Sequence, residues 1–490
     1  MRKRWIVLLA LILVGAFALP AMADVSFFGT ARVLPTYYSN FDFNDNAGDR
    51  PTLNEAGWVA GEHTRAEFRL GWKAGGDKWK IMMIAESDLI YEKDTADRTF
   101  YSDAERNGLP NAGSEFGLER VELNYTFSPA LVLSTGWNIR AADIKTGGLL
   151  FGDDHPFIEI GGKLTENLGY ALTYITIQNR EENRDVLGLS DDGDSAATPT
   201  TLTESTVTGD WRAYLLKFDA NVGAGAAKFT LSPLVLYSDN RATNAKVFYY
   251  GIEGTGQIGI IKPSFEFIVA DGEFRAPSTT DIKSYAGFAG VELAVSKALN
   301  PYVAFRYAKG DDNSSDNEAE GFVGITDIGR FTPLMGMDGN ILGEHLASGA
   351  SIYNSPLYSF SPDRAVGGNV YGGIGNASSG NNPGQMLVAF GSKGAVSEAL
   401  SYKAQIFMIW YDKKNNVLIG AGKPGAGTPI TDDYAGTTFD LQLSYKFSPN
   451  FSTYFIYSTF VPGDGIKDQL ASTADDTPAQ LASLGLVWTY

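Results

Sequence analysis

The feature that most constrains this chain is a period-two alternation of apolar and polar residues that recurs through nearly its whole length. In residues 64–72, Ala66, Phe68, Leu70 and Trp72 share one side, and Arg65, Glu67, Arg69 and Gly71 share the other. A helix would mix these sets; only an extended chain separates them. The same holds where Trp79, Ile81, Met83, Ala85, Leu89 and Tyr91 oppose Lys80, Glu86 and Asp88. It holds again where Val121, Leu123, Tyr125 and Phe127 oppose Arg120, Glu122 and Asn124, and where Phe439, Leu441, Leu443, Tyr445 and Phe447 oppose Asp440, Gln442, Ser444 and Lys446. The pattern predicts strands near 25–38, 62–74, 78–91, 115–127, 130–142, 156–164, 168–180, 209–223, 226–239, 246–258, 261–271, 283–297, 300–309, 384–394, 399–412, 434–447, 450–461 and 479–490. That is about 18 strands, mostly of the length a tilted membrane strand needs.

The connections sharpen the fold class. Short ones fall at 74–77, 128–129, 165–167, 223–225, 297–300 and 448–450, and long polar ones at 39–61, 92–114, 181–208, 310–383 and 413–433. Short and long are expected to alternate strictly, as turns and loops do at the two ends of a membrane barrel. After residue 23 no apolar run approaches the ~20 residues of a membrane helix. The chain is rich in Tyr (24) and Phe (29), which suits aromatic girdles at two interfaces. The expected fold is all-β: a transmembrane antiparallel up-and-down β-barrel of about 18 strands, with apolar faces toward lipid.

The address agrees. Arg2, Lys3 and Arg4 form a positive n-region, residues 5–19 an apolar stretch, and Ala21-Met22-Ala23 a small-x-small cleavage site. Residues 1–23 thus read as a secretory signal peptide, and 24–490 as one barrel with a long loop at about 310–383. The chain has no Cys, which excludes disulfides, a lipoprotein anchor, C-x-x-C-H haem attachment and thiolate metal sites. Its net charge is −18, and −21 once Arg2, Lys3 and Arg4 are removed. That charge does not suit nucleic acid as a partner. The acids collect in loops, as at Asp311, Asp312, Asp316, Glu318 and Glu320, where they read as solvated surface or as divalent-cation bridges to lipopolysaccharide. Asp42, Asn44 and Asn46 have calcium-loop spacing, but Ala47 and Leu53 stand where that loop needs Gly and Glu, so no metal site is assigned. No cofactor is expected.

The second face of each strand would line a hydrated lumen. On this register it carries Arg32, Arg65, Glu67, Arg69, Glu86, Asp88, Arg120, Glu122, Arg140, Lys217, Asp219, Glu266, Glu292, Arg306, Lys403, Asp440 and Lys446. Five arginines fall on the first five strands, with Glu67, Glu86, Asp88 and Glu122 among them. Two readings stay open: cross-strand ion pairs that stiffen the wall, or an arginine stripe of Arg65, Arg69, Arg120 and Arg140 that contacts anionic solutes and sets selectivity. The segment 310–383 is too long for an idle loop. Its apolar stretches at Phe322-Val323-Gly324-Ile325 and Phe331-Thr332-Pro333-Leu334-Met335 need something to pack on. Part of it is expected to fold into the barrel mouth and narrow it; a surface lid is the alternative.

The final strand carries a resemblance. Leu484, Leu486, Trp488 and Tyr490 share one side, Ser483, Gly485, Val487 and Thr489 the other, and the run stops on an aromatic. It resembles the last strand of bacterial outer-membrane β-barrels, in which such an aromatic is part of the signal read by the barrel assembly machinery. That implies assembly roles for Trp488 and Tyr490, contact with outer-membrane lipid and lipopolysaccharide, and both termini in the periplasm. The size, the strand count and the passage Tyr307-Ala308-Lys309-Gly310-Asp311-Asp312 are similar to the alginate-export family of 18-stranded barrels. That family implies a strongly cationic lumen; here acids nearly match bases, so the architecture carries over and the substrate does not. The expected function is a porin giving passive or weakly selective passage to small hydrophilic solutes, anionic ones among them. An alginate-type exporter or a barrel sheath around a cytochrome partner are the alternatives. An enzyme is not expected. The only histidines, His63, His155 and His345, fall in or at the rim of loops; His63 could pair with Glu62 and His155 with Asp153 or Asp154, but loop histidines are mostly just solvated. Strand one begins almost at the cleavage site, which leaves no room for an N-terminal plug. Nothing in the sequence specifies the oligomeric state.

Overall fold

The computed structural model describes residues 24–40, 61–90, 117–143, 145–178, 210–241, 244–275, 280–313, 316–325, 331, 382–420, 422–469 and 477–490. Residues 1–23, most of 310–383 and the Asp42–Asn46 motif lie outside them, as does His345. Eighteen strands form the wall. The first nine are β1 (Asp24–Ser39), β2 (Gly61–Gly75), β3 (Trp79–Ile90), β4 (Gly117–Ser128), β5 (Leu131–Ala141), β6 (Gly152–Thr165), β7 (Leu168–Gln178), β8 (Trp211–Ala224) and β9 (Ala227–Asn240). The others are β10 (Ala245–Ile258), β11 (Ile261–Phe274), β12 (Asp281–Leu293), β13 (Asn300–Ala308), β14 (Gln385–Ala395), β15 (Leu400–Trp410), β16 (Tyr434–Ser448), β17 (Phe451–Pro462) and β18 (Ala479–Thr489). A two-residue strand, Glu318–Ala319, adds in parallel to the start of β12.

Every strand pairs antiparallel with the next, and β13 meets β14 directly across the long connection, from Asn300 opposite Lys393 to Ala308 opposite Gln385. The sheet closes on itself. β1 pairs with β18, from Thr30 opposite Thr489 to Ser39 opposite Gln480. The Gly29 N–H donates to the Tyr490 carbonyl at 3.1 Å, and the Tyr490 N–H to the Gly29 carbonyl at 3.2 Å. Gly29 is needed here: a Cβ at this position would collide with the Tyr490 ring, which lies across it. A closed sheet leaves no row of unpaired backbone groups, which is what a chain in hydrocarbon requires.

The faces are inverted relative to a soluble protein. Phe27, Leu70, Leu123, Leu172, Leu216, Phe267, Phe305, Phe390, Phe439, Phe455 and Leu484 are exposed on the outside. Glu67, Lys217, Glu253, Glu266, Arg306, Lys403 and Asp440 are buried on the inside. Such a continuous apolar exterior is an aggregation liability in water and a fit for lipid. Aromatic pairs flank it at both ends. Tyr174–Tyr214 (5.3 Å between ring centroids), Tyr237–Phe248 (4.7 Å) and Tyr285–Tyr307 (5.7 Å) lie toward one end. Tyr125–Phe127, Tyr445–Phe447 and Phe451–Trp488, each at 4.8 Å, lie toward the other.

The expected strict alternation of short and long connections needs correction. All eight connections at the end near Tyr490 are short, but at the opposite end 241–244 and 275–280 are short as well. A tight turn can join antiparallel neighbours at either end, so closure does not force length to alternate. A second correction concerns 142–151: the alternation predicts a strand running to 142 and assigns nothing to 143–151, but β5 ends at Ala141 and the segment turns inward. His155, expected at the rim of a loop, lies within β6 with its ring stacked on Phe151 at 5.9 Å.

Candidate functional site: a charged lumen crossed by two inward segments

Along the inner wall of β1–β6 the charges form an alternating chain. Arg32 Nε lies 3.6 Å from Glu67 Oε1, and Arg69 Nε lies 3.1 Å from the same oxygen. Arg69 also bonds Glu86 and places Nη2 3.0 Å from Glu119 Oε1, which Arg120 Nη2 approaches to 2.8 Å. Further round, Arg140 pairs with Glu122 at 3.2 Å and Glu159 at 3.5 Å, with its guanidinium 3.4 Å from the centroid of the Phe157 ring. These side chains are only partly exposed, so each arginine is held in place rather than sweeping through water. Such pairs contribute little stability individually, ~0.2–1 kcal/mol each when hydrated. Their effect is to line one wall with fixed donors and acceptors in alternation.

The 142–151 segment reaches from β5 and β6 across to β8–β12. Asp143 folds its own turn: Oδ2 accepts the N–H groups of Leu149 and Leu150 at 2.6 Å, and Oδ1 that of Phe151 at 3.0 Å. The far wall holds the tip. Glu266 Oε2 on β11 accepts Thr146 Oγ1–H at 2.7 Å and the N–H groups of Gly147 (2.8 Å) and Gly148 (3.1 Å), and Oε1 accepts that of Leu149 (3.2 Å). Gly148 has φ +64°, which lets successive N–H groups converge on one carboxylate. Glu253 on β10 accepts the Lys145 N–H at 3.0 Å and pairs with Lys217 Nζ at 2.6 Å. Lys217 also donates to the Ala142 carbonyl. The Lys145 ammonium pairs with Asp219 and donates to Ser232 Oγ at 3.1 Å.

The second inward segment begins after β13. Asp311 is buried, accepting the Asn313 N–H at 3.0 Å and the Glu320 N–H at 2.9 Å, and Lys309 pairs with Glu320. Asp311 and Glu320 therefore organise a turn instead of being solvated surface. Phe322, Val323 and Ile325 are buried. The Phe322 N–H donates to the Lys309 carbonyl at 2.7 Å, and Tyr249 Oη–H on β10 to the Val323 carbonyl at 3.1 Å. The two segments touch: the Ile325 N–H donates to the Leu150 carbonyl at 2.8 Å. The Phe331 ring sits 5.0 Å from both Phe288 on β12 and Phe407 on β15, which point inward. Leu149, Leu150, Phe151, Phe322 and Ile325 thereby join the inward faces of Leu215, Leu236, Val247 and Ile268 in one apolar cluster inside the barrel.

The remaining wall is mixed, with polar groups set among buried Leu387, Phe407, Ile409, Ile456 and Phe460. Gln405 Nε2 donates to Asp440 Oδ2 at 2.8 Å, and Tyr302 Oη–H to Gln405 Oε1 at 2.6 Å. Lys262 (2.9 Å) and Lys393 (2.8 Å) hold Glu292 between them. Near the short-turn end, a cavity of about 530 Å³ is lined by Thr30, Arg32, Glu398, Ser401, Lys446, Ser452, Tyr454 and Thr489, among others.

Of the sequence-predicted lumen residues, Arg32, Glu67, Arg69, Glu86, Arg120, Glu122 and Arg140 come together in the charged chain. Asp219 meets the inward loop. Lys217 and Arg306 also face inward but are covered: Lys217 lies under the loop, and Arg306, 1 % exposed, falls between Phe288 and Leu387 in the register. Arg65 stands opposite Leu34 and Ile90, and Asp88 opposite Glu67; their side chains lie outside the described part. Reasoning from sequence missed Glu119, Glu159 and Glu253. Glu119 reaches the lumen through a one-residue register shift, with Ile84 opposite Arg120 but Ala85 opposite Leu118. The signal for the covered wall was present, because residues 213–216 and 234–237 are apolar on both faces.

No family model and no curated protein matches the chain. Among solved structures, the fold is similar to outer-membrane porins of the Occ/Opd group. Pseudomonas aeruginosa OccK9 (OpdG) is 10% identical, with a TM-score of 0.52 over 95% of this chain and 98% of that one. Acinetobacter baumannii OccAB2 is 11% identical, with a TM-score of 0.51 over 95% and 98%. P. aeruginosa OccK2 (OpdF), crystallised in complex with glucuronate, gives the same identity, score and coverage. None of these supports the alginate-export resemblance. At such identity the likeness is one of fold: a closed 18-stranded antiparallel barrel of the outer-membrane porin type.

Proposed function

We propose that this protein is an outer-membrane porin that passes small hydrophilic solutes, passively or with weak selectivity, along a wall of alternating arginines and glutamates. The observation that carries this reading is the division of the lumen. Two inward segments cover the apolar inner wall of β8–β12 and reach β15 through Phe331, while Arg69, Glu119, Arg140 and Glu122 of the charged chain on β1–β6 keep partly exposed side chains. A barrel filled by a core would have no use for partly exposed ion pairs on its inner face. The bases Arg32, Arg69, Arg120 and Arg140 interleave with Glu67, Glu86, Glu119, Glu122 and Glu159, so the wall offers donors to anions without excluding cations.

The apolar exterior and its two aromatic belts support placement in the bacterial outer membrane. The short turns near Tyr490 support our reading that both ends of the wall face the periplasm, and Trp488 and Tyr490 are our candidates for the signal to the assembly machinery. The glucuronate complex of OccK2 makes sugar acids the first solutes to test. Proteoliposomes containing the protein should swell in isotonic glucuronate or small neutral sugars and not in a large polysaccharide. Liposomes that stay osmotically tight to all of them would overturn the porin reading and favour a sheath.

A further inference from the structure

We infer that Glu266 is a positioning residue: its carboxylate, with Glu253 beside it, is the anchor that holds the 142–151 loop across the lumen and so sets the bore. The inference deepens the porin reading and rests on it for its link to conduction. Glu253 and Glu266 stand directly opposite each other on β10 and β11. Both point inward and both are almost fully buried. Two carboxylates in such a cross-strand pair repel, and burial without compensation costs far more. Among the described residues, the hydrogen-bond donors to the Glu266 carboxylate come from the loop, which also brings Asp143 against it. Its acceptors are filled by the loop: Thr146 Oγ1–H and the N–H groups of Gly147, Gly148 and Leu149, between 2.7 and 3.2 Å. Glu253 is compensated by Lys217 from β8 and by the Lys145 N–H of the loop. Lys217 of the wall thus offsets part of the cost at Glu253, and the docked loop supplies the donors that Glu266 accepts.

The loop's shape fits the same conclusion. Thr146, Gly147 and Gly148 are buried although they belong to a connection. A Cβ at Gly147 would come to 2.8 Å from Phe288 Cβ and 3.0 Å from Glu266 Oε2, so the backbone is seated against the wall. Once docked, the loop carries Lys145 to Asp219 and presents Leu150 to Ile325 of the second segment. Holding this loop therefore also supports the other.

The test uses the full-length protein in two variants. Glu266→Gln keeps the shape but turns amide hydrogens toward loop donors. Gly147→Ala leaves all charges intact and pushes the loop off its seat. Hydrogen exchange followed by mass spectrometry should show the amides of 146–149 exchanging roughly 10- to 100-fold faster in both variants. Heat-modifiable mobility and barrel melting should stay as in the wild type, because no wall pairing is lost. In planar bilayers both variants should conduct more than the wild type, while Leu216→Val, on the outward face of β8, should not. Wild-type exchange at 146–149 in both variants would overturn the anchor, as would an unchanged conductance alongside faster exchange, which would remove the loop from the bore. A wild-type protein that never conducts but whose variants exchange faster would sustain the anchor and sink the porin reading.

Discussion

Phe331→Ala should release the second inward segment without loosening the barrel. The ring is buried between Phe288 and Phe407, 5.0 Å from each centroid. Truncating a buried Phe to Ala costs about 3–5 kcal/mol, of which each ring pair accounts for roughly 0.5–1.5 kcal/mol. Phe331 belongs to a connection and not to the wall, so the cost falls on the docked state of its segment. A loss of ~3 kcal/mol raises the undocked population about 10²-fold. The reporters are two amides, Phe322 bonded to the Lys309 carbonyl at 2.7 Å and Ile325 bonded to the Leu150 carbonyl at 2.8 Å. Their exchange, measured by mass spectrometry on peptides covering 316–325, should accelerate by about that factor. Peptides from β17 should be unchanged. Unaltered exchange at 316–325 would refute the clamp. A uniform rise across the wall strands would show that Phe331 is part of the barrel's global stability instead.

Leu172 lies mid-strand on the outer face of β7 and is exposed. Leu172→Arg should cost ~2–4 kcal/mol in denaturant unfolding from bilayers, and an unchanged midpoint would contradict the lipid-facing register. Deleting Tyr490 removes both backbone bonds to Gly29 and the ring over it. The yield of heat-modifiable barrel should fall while the channels that do assemble conduct normally; normal yield would remove Tyr490 from the closing seam's assembly role. Arg140→Gln leaves Glu122 and Glu159 without their arginine. The reversal potential in a salt gradient should move toward cation preference, and an unmoved value would place Arg140 outside the ion path.

The wall was legible in the sequence because period two assigns each residue to one of two faces, and lipid allows no error in that choice. Phe439, Leu443 and Tyr445 are exposed outside, and Asp440 and Gln442 are buried inside, as the alternation predicts. The lumen was less legible. Which carboxylate meets which arginine depends on register between strands, and the single shift at Ile84–Ala85 was enough to bring in Glu119. Lys217 was assigned to the lumen from its face alone, and the face does not say that a loop lies over it. That loop could have been suspected from the wall it covers. Leu215 and Leu236 point inward as surely as Leu216 and Val235 point outward, and a strand apolar on both faces cannot border water on either.

The most direct test of the divided lumen is a single-channel recording of the purified wild-type protein in a planar bilayer under a potassium chloride gradient. Discrete open steps are expected, with a reversal potential well short of the ideal value for either ion, since the arginines and glutamates along β1–β6 alternate. An absence of steps would contradict a continuous aqueous path beside the inward segments. Near-ideal selectivity for one sign of charge would contradict a wall on which arginines and glutamates offset each other.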